Sequence, residues 1–284
     1  MYNEFFRFSE SPFNLSPDPR FLYRSHQHEE ALANLIYGVQ NRKGFIVLTG
    51  DAGTGKTTLL ECLRAFLDAH HVAFASLFNS RLTPDQFFEM LAYDFELPCP
   101  RASKTEVLFA LNTLLLKQAE LGYTTVLIVD EAHNLSPDVL EEVRLLGNLE
   151  NPRGKLLQII LAGQTELDRK LEAPDLRQLK QRVVLRCHLA AFEAVDTELY
   201  IRARLERAGM PEQSVFPPTI VQAIHDHAQG IPRLINSICD NLLLTSFASG
   251  ENVATAEMLD EVCRDMRLEL PDRRHAVAAS HPVF

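Results

Sequence analysis

Residues Gly50-Asp51-Ala52-Gly53-Thr54-Gly55-Lys56-Thr57-Thr58 meet the pattern G-x-x-x-x-G-K-[ST] at every required position. The glycines let the main chain curl until successive N–H groups point inward, making a nest for phosphate oxygens. A helix starting near Lys56 adds the positive end of its dipole there. Lys56 is placed to reach the β- and γ-phosphates of ATP, and the Thr57 hydroxyl to ligate Mg²⁺. A chance glycine-rich turn would lack the flanks seen here. Residues 43–49 read as a short, apolar, β-branched strand, and residues 58–67 have the spacing of a helix packed on a sheet.

A second signature follows downstream. Thr125-Val126-Leu127-Ile128-Val129 runs directly into Asp130-Glu131-Ala132-His133, the shape of a Walker B strand. Asp130 at the strand end is suited to hold Mg²⁺, and Glu131 to polarise an attacking water. Such a strand is a weak signal alone and a strong one behind a phosphate loop. Leu156-Leu157-Gln158-Ile159-Ile160-Leu161-Ala162-Gly163-Gln164 is a further buried strand, and the amide of Gln164 is a candidate γ-phosphate sensor. Polar residues also end many strands for no catalytic reason.

Other positions complete the constellation. Tyr23 and His28 lie in the segment leading to the first strand, where phosphate-loop ATPases can sandwich an adenine ring; plain packing is the competing reading. Residues 175–186 form a basic helix passing into a strand. In an oligomeric ATPase one arginine from this region enters the neighbouring site and stabilises charge on the transferring phosphate. Arg182 is the first candidate and Arg177 the second, against a solvated basic face. Arg233, in Gly230-Ile231-Pro232-Arg233, would point back to the nucleotide.

These residues need a sheet to hold them. Buried strands at 43–49, 72–79, 125–129 and 156–164, with a fifth after residue 182, alternate with helices, the pattern of a parallel α/β sheet. After residue 194 strands stop, and helical patterns over 196–208, 218–228, 231–247 and 255–268 form a small all-α lid. The expected divisions are an arm and lead-in helix (1–40), an α/β nucleotide-binding domain (41–192), a lid (193–270) and a disordered tail (271–284). The aromatic, proline-rich arm, with Phe5, Phe6, Phe8, Pro12 and Phe13, is expected to wrap the sheet domain.

Composition narrows the class. With 28 Lys+Arg against 38 Asp+Glu the net charge is −10, so the whole chain is not a basic nucleic-acid binder, though a local basic patch stays open. Five cysteines without C-x-x-C spacing point to buried thiols of a reducing compartment, not to zinc or disulfides. The charged start does not read as a signal peptide, and no run reaches the roughly 20 apolar residues of a membrane span. The expectation is a cytoplasmic protein.

The motifs together resemble the ExeA/GspA-type AAA+ ATPases of bacterial general secretion pathways and the similar ATPases of exopolysaccharide and exosortase loci. The resemblance runs from Met1-Tyr2 through Pro17-Asp18-Pro19, Phe21-Leu22-Tyr23, Tyr37-Gly38 and the phosphate loop. It continues through Asp130-Glu131-Ala132, Ala162-Gly163-Gln164, Leu176-Arg177-Gln178-Leu179 and Gly230-Ile231-Pro232-Arg233. It implies an α/β P-loop NTPase of the AAA+/ASCE type, with five parallel strands flanked by helices and a small all-α lid. Implied roles are sensor 1 for Gln164, sensor 2 for Arg233 and restraint of the catalytic glutamate for Asn79. Also implied are ATP and Mg²⁺ as cofactors, a ring or filament of identical subunits, and partners in secretion or envelope machinery. The same branch is similar to transposition ATPases of the MuB, TniB and TnsC kind, which implies duplex DNA and a transposase-like effector as the alternative.

Overall fold

The computed structural model describes residues 1–70, 72–77, 81–98, 103–152, 154–209 and 215–268. In chain order the elements begin with helices α1 (Tyr2–Phe6) and α2 (His26–Gln40), strand β1 (Phe45–Gly50), α3 (Lys56–Ala69) and β2 (Ala73–Leu77). Next come α4 (Pro84–Asp94), α5 (Lys104–Glu120), β3 (Thr125–Val129), α6 (Pro137–Leu146), and a two-stranded ribbon of β4 (Glu150–Asn151) and β5 (Gly154–Lys155). Then follow β6 (Leu157–Gly163), α7 (Glu166–Leu171), the single turn α8 (Arg177–Lys180) and β7 (Val183–Leu189). Four helices close the described chain: α9 (Ala194–Arg207), α10 (Pro218–Ala228), α11 (Pro232–Ser249) and α12 (Ala256–Asp265).

The chain divides into two compact units: Pro17–Ala190, and Met1–Ser16 together with the chain from Ala191 onward. In the first, five parallel strands form one sheet in the order β2-β3-β6-β1-β7. Sequence character follows position. The central strands β1, β3 and β6 are buried along their whole length, as a parallel sheet covered on both faces requires. The edge strand β7 alternates and exposes Val184, Arg186 and His188. Because side chains alternate across a strand, Val47, Leu127, Ile159 and Leu161 join one core with Phe87, Leu111 and Val143 from α4, α5 and α6. Ile46, Leu48, Val126, Ile128 and Ile160 face the other, with Leu35, Leu59 and Leu63 from α2 and α3.

Helix starts are written locally. Thr83 and Ser103 each close a capping box, with Gln86 and Glu106 respectively, and Pro84 and Pro137 occupy first-turn positions that need no N–H donor. The basic stretch before β7 is not one helix: a 3-10 turn at Pro174–Leu176 passes into α8.

The second unit contains α9 to α12 and the start of the chain. This corrects the expectation for the arm. Phe13 is fully buried with its ring centroid 6.0 Å from that of Phe216. Phe5 packs edge-on to Phe247, Ser9 N–H donates to the Ala208 carbonyl, and Arg204 Nη1 donates to the Pro12 carbonyl at 2.8 Å. The aromatic side chains thus fill helical grooves, and only the stretch from Pro17 belongs with the sheet. The tail at 271–284 lies outside the described residues.

Candidate nucleotide-binding site

Parallel strands place all their C-terminal ends on one edge, where open α/β sheets bind ligands. That edge carries Gly50 at the end of β1, Asp130 after β3 and Gln164 after β6, and β6 lies between the other two strands. The loop after β1 curls through left-handed conformations at Gly53 (φ 84°) and Gly55 (φ 99°). At Gly50 a side chain is excluded by space: a Cβ there would come within 2.4 Å of the Leu189 carbonyl oxygen. The loop then enters α3 with Gly55 at the N-cap, leaving the first helical N–H groups without a side-chain cap.

Lys56 is buried, and its Nζ donates to the carbonyls of Gly50 (2.8 Å) and Asp51 (2.9 Å), folding the side chain over its own loop. Burial lowers its pKa, while the carboxylates of Glu131, Asp130, Asp51 and Glu166 pull the other way. Four acids around one ammonium leave a surplus of negative potential, which suits a site that takes a divalent cation with its phosphates.

The two motifs meet directly. Thr57 Oγ1 donates to Asp130 Oδ2 at 3.2 Å, and Asp130, buried, accepts the Glu131 N–H on Oδ1 at 2.8 Å. A hydroxyl and a carboxylate converging beside the loop are hard oxygen donors of the kind Mg²⁺ uses, so the residues fit that ion. Glu131 has φ 53° and ψ 32°, in the left-handed region. The other described non-glycine residues there, Arg7, Arg42, Glu96, Gln229 and Arg267, all lie at or just after helix C-termini, where that conformation is usual. Glu131 instead opens a 3-10 turn after a strand, and backbone strain of this kind gathers at functional sites.

Two residues bind this edge together that sequence reasoning left without a role. His133 Nδ1 accepts the Gln164 N–H at 3.2 Å, and its Nε2 lies 3.5 Å from Glu131 Oε2. Thr165 Oγ1 donates to Asp51 Oδ1 at 3.2 Å, tying the end of β6 to the phosphate loop. Neither could be read from spacing, because each contact joins segments more than thirty residues apart or depends on a turn.

His28 is placed differently from a base contact. It is buried, with Nδ1 2.8 Å from Ser25 Oγ and Nε2 3.1 Å from the Thr54 carbonyl. A carbonyl only accepts, so Nε2 carries the proton and the ring props the phosphate loop from below. Tyr23 is half-buried two residues before the Ser25 N-cap of α2, and its carbonyl accepts the Ser25 N–H. Ala52 lies in the loop, at a position where the motif accepts any residue, and Thr58 in the first turn of α3. Asn79 lies outside the described residues.

The arginine candidates differ in their engagements. Arg182 Nη1 donates to the Arg144 carbonyl at 3.2 Å, near the C-terminus of α6, whereas Arg177 is exposed and unpaired among the described residues. Lys180 pairs with Glu172, and Arg186 with Asp168 at 2.9 Å. Arg233, in the other unit, is exposed in the first turn of α11, where a cation opposes the helix dipole, and its guanidinium is unpaired among the described residues.

Comparison with known proteins agrees with this geometry. The profile of the AAA domain matches residues 39–171. General secretion pathway protein A of Aeromonas hydrophila is 44% identical over 253 residues, which take in 89% of this chain and 46% of that protein. The chain thus spans about half the length of this curated relative. Among solved structures, Cdc6p from Pyrobaculum aerophilum superposes with a TM-score of 0.72 at 20% identity, covering 96% of this chain and 74% of that one. The ORC2 protein of Aeropyrum pernix, in ADPNP and ADP complexes, gives 0.69 at 15% identity, covering 96% and 76%. At such identities the likeness fixes the fold, which is AAA+. Among the described residues no helix is long and apolar enough to cross a membrane.

Proposed function

From the premise that this chain is a homologue of general secretion pathway protein A carrying an AAA domain, we propose that it is a Mg²⁺-dependent ATPase acting at subunit interfaces of a homo-oligomer. The observation that carries the reading is the meeting of Thr57 with Asp130 beside Lys56, which brings both motifs to one point. In this reading the loop N–H groups and Lys56 bind the β- and γ-phosphates. Thr57 and Asp130 hold Mg²⁺, which when bound neutralises charge on the phosphate oxygens. Glu131 draws a proton from the attacking water as the bond from the γ-phosphorus to the ADP oxygen breaks, and Gln164 orients the γ-phosphate. His28 acts through the loop it props, and Tyr23 is the remaining candidate for the base.

The guanidinium of Arg177, exposed and unpaired among the described residues, suits a trans-acting finger better than that of Arg182, which is spent on a main-chain carbonyl. Arg233, exposed in the first turn of its helix, stays the sensor 2 candidate. The likeness to its relative supports a role for the assembly in secretion or envelope machinery, through protein partners at the cytoplasmic side. The alternative of assembly on duplex DNA loses its basic stripe, because Lys180 and Arg186 face acids and Arg182 a carbonyl. Exposed pairs of this kind are weak, so the test includes DNA.

The test is ATP turnover measured across protein concentration, with and without duplex DNA. Turnover per subunit is expected to rise with concentration. Glu131→Gln should lose about 10²–10⁴-fold in rate while retaining ATP, and Arg177→Ala should lose rate only where the wild type assembles. A rate independent of concentration, or a Glu131→Gln variant as fast as wild type, would reject the proposal. Turnover that demands DNA and falls steeply with salt would give the role to the DNA-bound alternative.

A further inference from the structure

The end of β3 and the end of β6 are joined by one side chain. His133 belongs to the 3-10 turn Ala132–Asn134 that follows the acidic pair, and its ring stands between Gln164 and Glu131. An amide N–H can only donate, so Nδ1 accepts and is unprotonated, and the neutral ring carries its proton on Nε2. Nε2 is the atom that faces the Glu131 carboxylate. At 3.5 Å the contact is longer than a closed hydrogen bond, as contacts in ligand-free catalytic sites often are.

The surroundings fix the imidazole in this place. Lys170 Nζ donates to the His133 carbonyl at 2.6 Å and to the Leu135 carbonyl at 2.7 Å, clamping the turn from α7. Gly163 leaves the ring its room: a Cβ there would lie 3.2 Å from His133 N and 3.3 Å from Nδ1. His133 has its side chain 11% exposed against 41% for Glu131, so the ring is the fixed partner and the carboxylate the one with freedom.

We propose that His133 is a positioning residue for hydrolysis, which takes its tautomer from the Gln164 amide and uses Nε2–H to aim the Glu131 carboxylate. The inference rests on the ATPase reading and on Glu131 as its proton acceptor. It makes the β6 end a control on the glutamate: a shift of Gln164 moves the ring, and the ring moves the carboxylate. Thr165, bonded to Asp51, carries the phosphate loop's position into the same segment. A displacement of about 1 Å at a reacting group costs on the order of 10²-fold in rate.

Two isosteres separate the ring's two bonds. His133→Asn keeps an acceptor at the Nδ1 position and removes the Nε2 donor, whereas His133→Gln places an amide donor where Nε2 stood. With the full chain, His133→Asn is expected to lower kcat about 10–100-fold with KM for ATP unchanged, and His133→Gln to recover much of that loss. In a Glu131→Gln background His133→Asn should cost nothing further. Equal kcat in His133→Asn and wild type, or an undiminished loss in the Glu131→Gln background, would overturn the proposal. If Glu131→Gln itself turns over like wild type, the ATPase assignment fails instead, so the two failures are distinct. Should His133→Asn not fold, nitrogen-15 spectra of the wild-type ring decide: a proton on Nε2 supports the proposal, and a proton on Nδ1 overturns it.

Discussion

The two units of this chain use polar atoms in opposite ways. In Pro17–Ala190 polar groups, from the buried His28 to the exposed Asp51, link separate motifs: Thr57 to Asp130, His133 to Gln164, Thr165 to Asp51, His28 to Thr54. Their partners sit at strand ends, and together they crowd acids around one buried ammonium. In the helical unit the buried polar groups close on one another. Tyr200 donates to Asn236 at 2.8 Å, Thr197 meets His225 at 2.8 Å, and Arg204 reaches the Pro12 carbonyl. Its motif arginine, Arg233, stays outside that network. One unit is organised for a charged ligand, the other to hold its own helices and the start of the chain. Burial without pairing is costly, so each pattern reports what the region is built to meet.

The sharpest way to break that contrast is to damage the helical core alone. Phe13→Ala should cost about 3–5 kcal/mol in the stability of the helical unit, read by denaturant unfolding, while fluorescent ATP binding to the α/β unit persists. A collapse of both together would mean that the two regions are not separately organised. Lys56→Ala should do the reverse. Loss of charge-assisted bonds worth about 1.5–3 kcal/mol weakens ATP binding roughly 10–100-fold, with folding stability kept because a buried cation is gone.

Smaller effects sharpen the boundary between scaffold and site. Ser25→Ala removes the N-cap of α2 and the partner of His28, so about 0.5–2 kcal/mol of stability should go, with a measurable drop in ATP affinity as the phosphate loop loses its prop. Unchanged affinity would make His28 a packing residue. The smallest effect is alkaline. Burial, aided by the bond to Asp240, pushes the Tyr2 phenol up to about 12. A group whose folded pKa is raised contributes fully below the unfolded value near 10, and the contribution is lost as pH rises from there towards 12. Tyr2→Phe should flatten that slope in alkaline unfolding curves of the full chain.

Much of the nucleotide edge was legible in the residues. Local chemistry wrote it: glycines that only a curled loop needs, apolar strands ending in acids, and capping boxes whose partners lie three residues apart. The arm was not legible, because Phe5 and Phe13 declare that they need a groove and not which one. The two histidines show the same limit. His133 stood beside the acidic pair and His28 in the lead-in helix, and nothing in their neighbours says that one faces a glutamate and the other props a loop.

The sequence by itself determined the phosphate loop, the acidic strand end, the parallel sheet and the helical region after it, since propensity, patterning and short-range bonds act over a few residues. Tertiary structure alone decided that His133 stands between Gln164 and Glu131, that Arg182 is engaged while Arg177 has no partner among the described residues, and that the first sixteen residues lie with the helices. Those outcomes depend on which distant atoms meet once the sheet order is set, and strand order is fixed by packing across the whole unit.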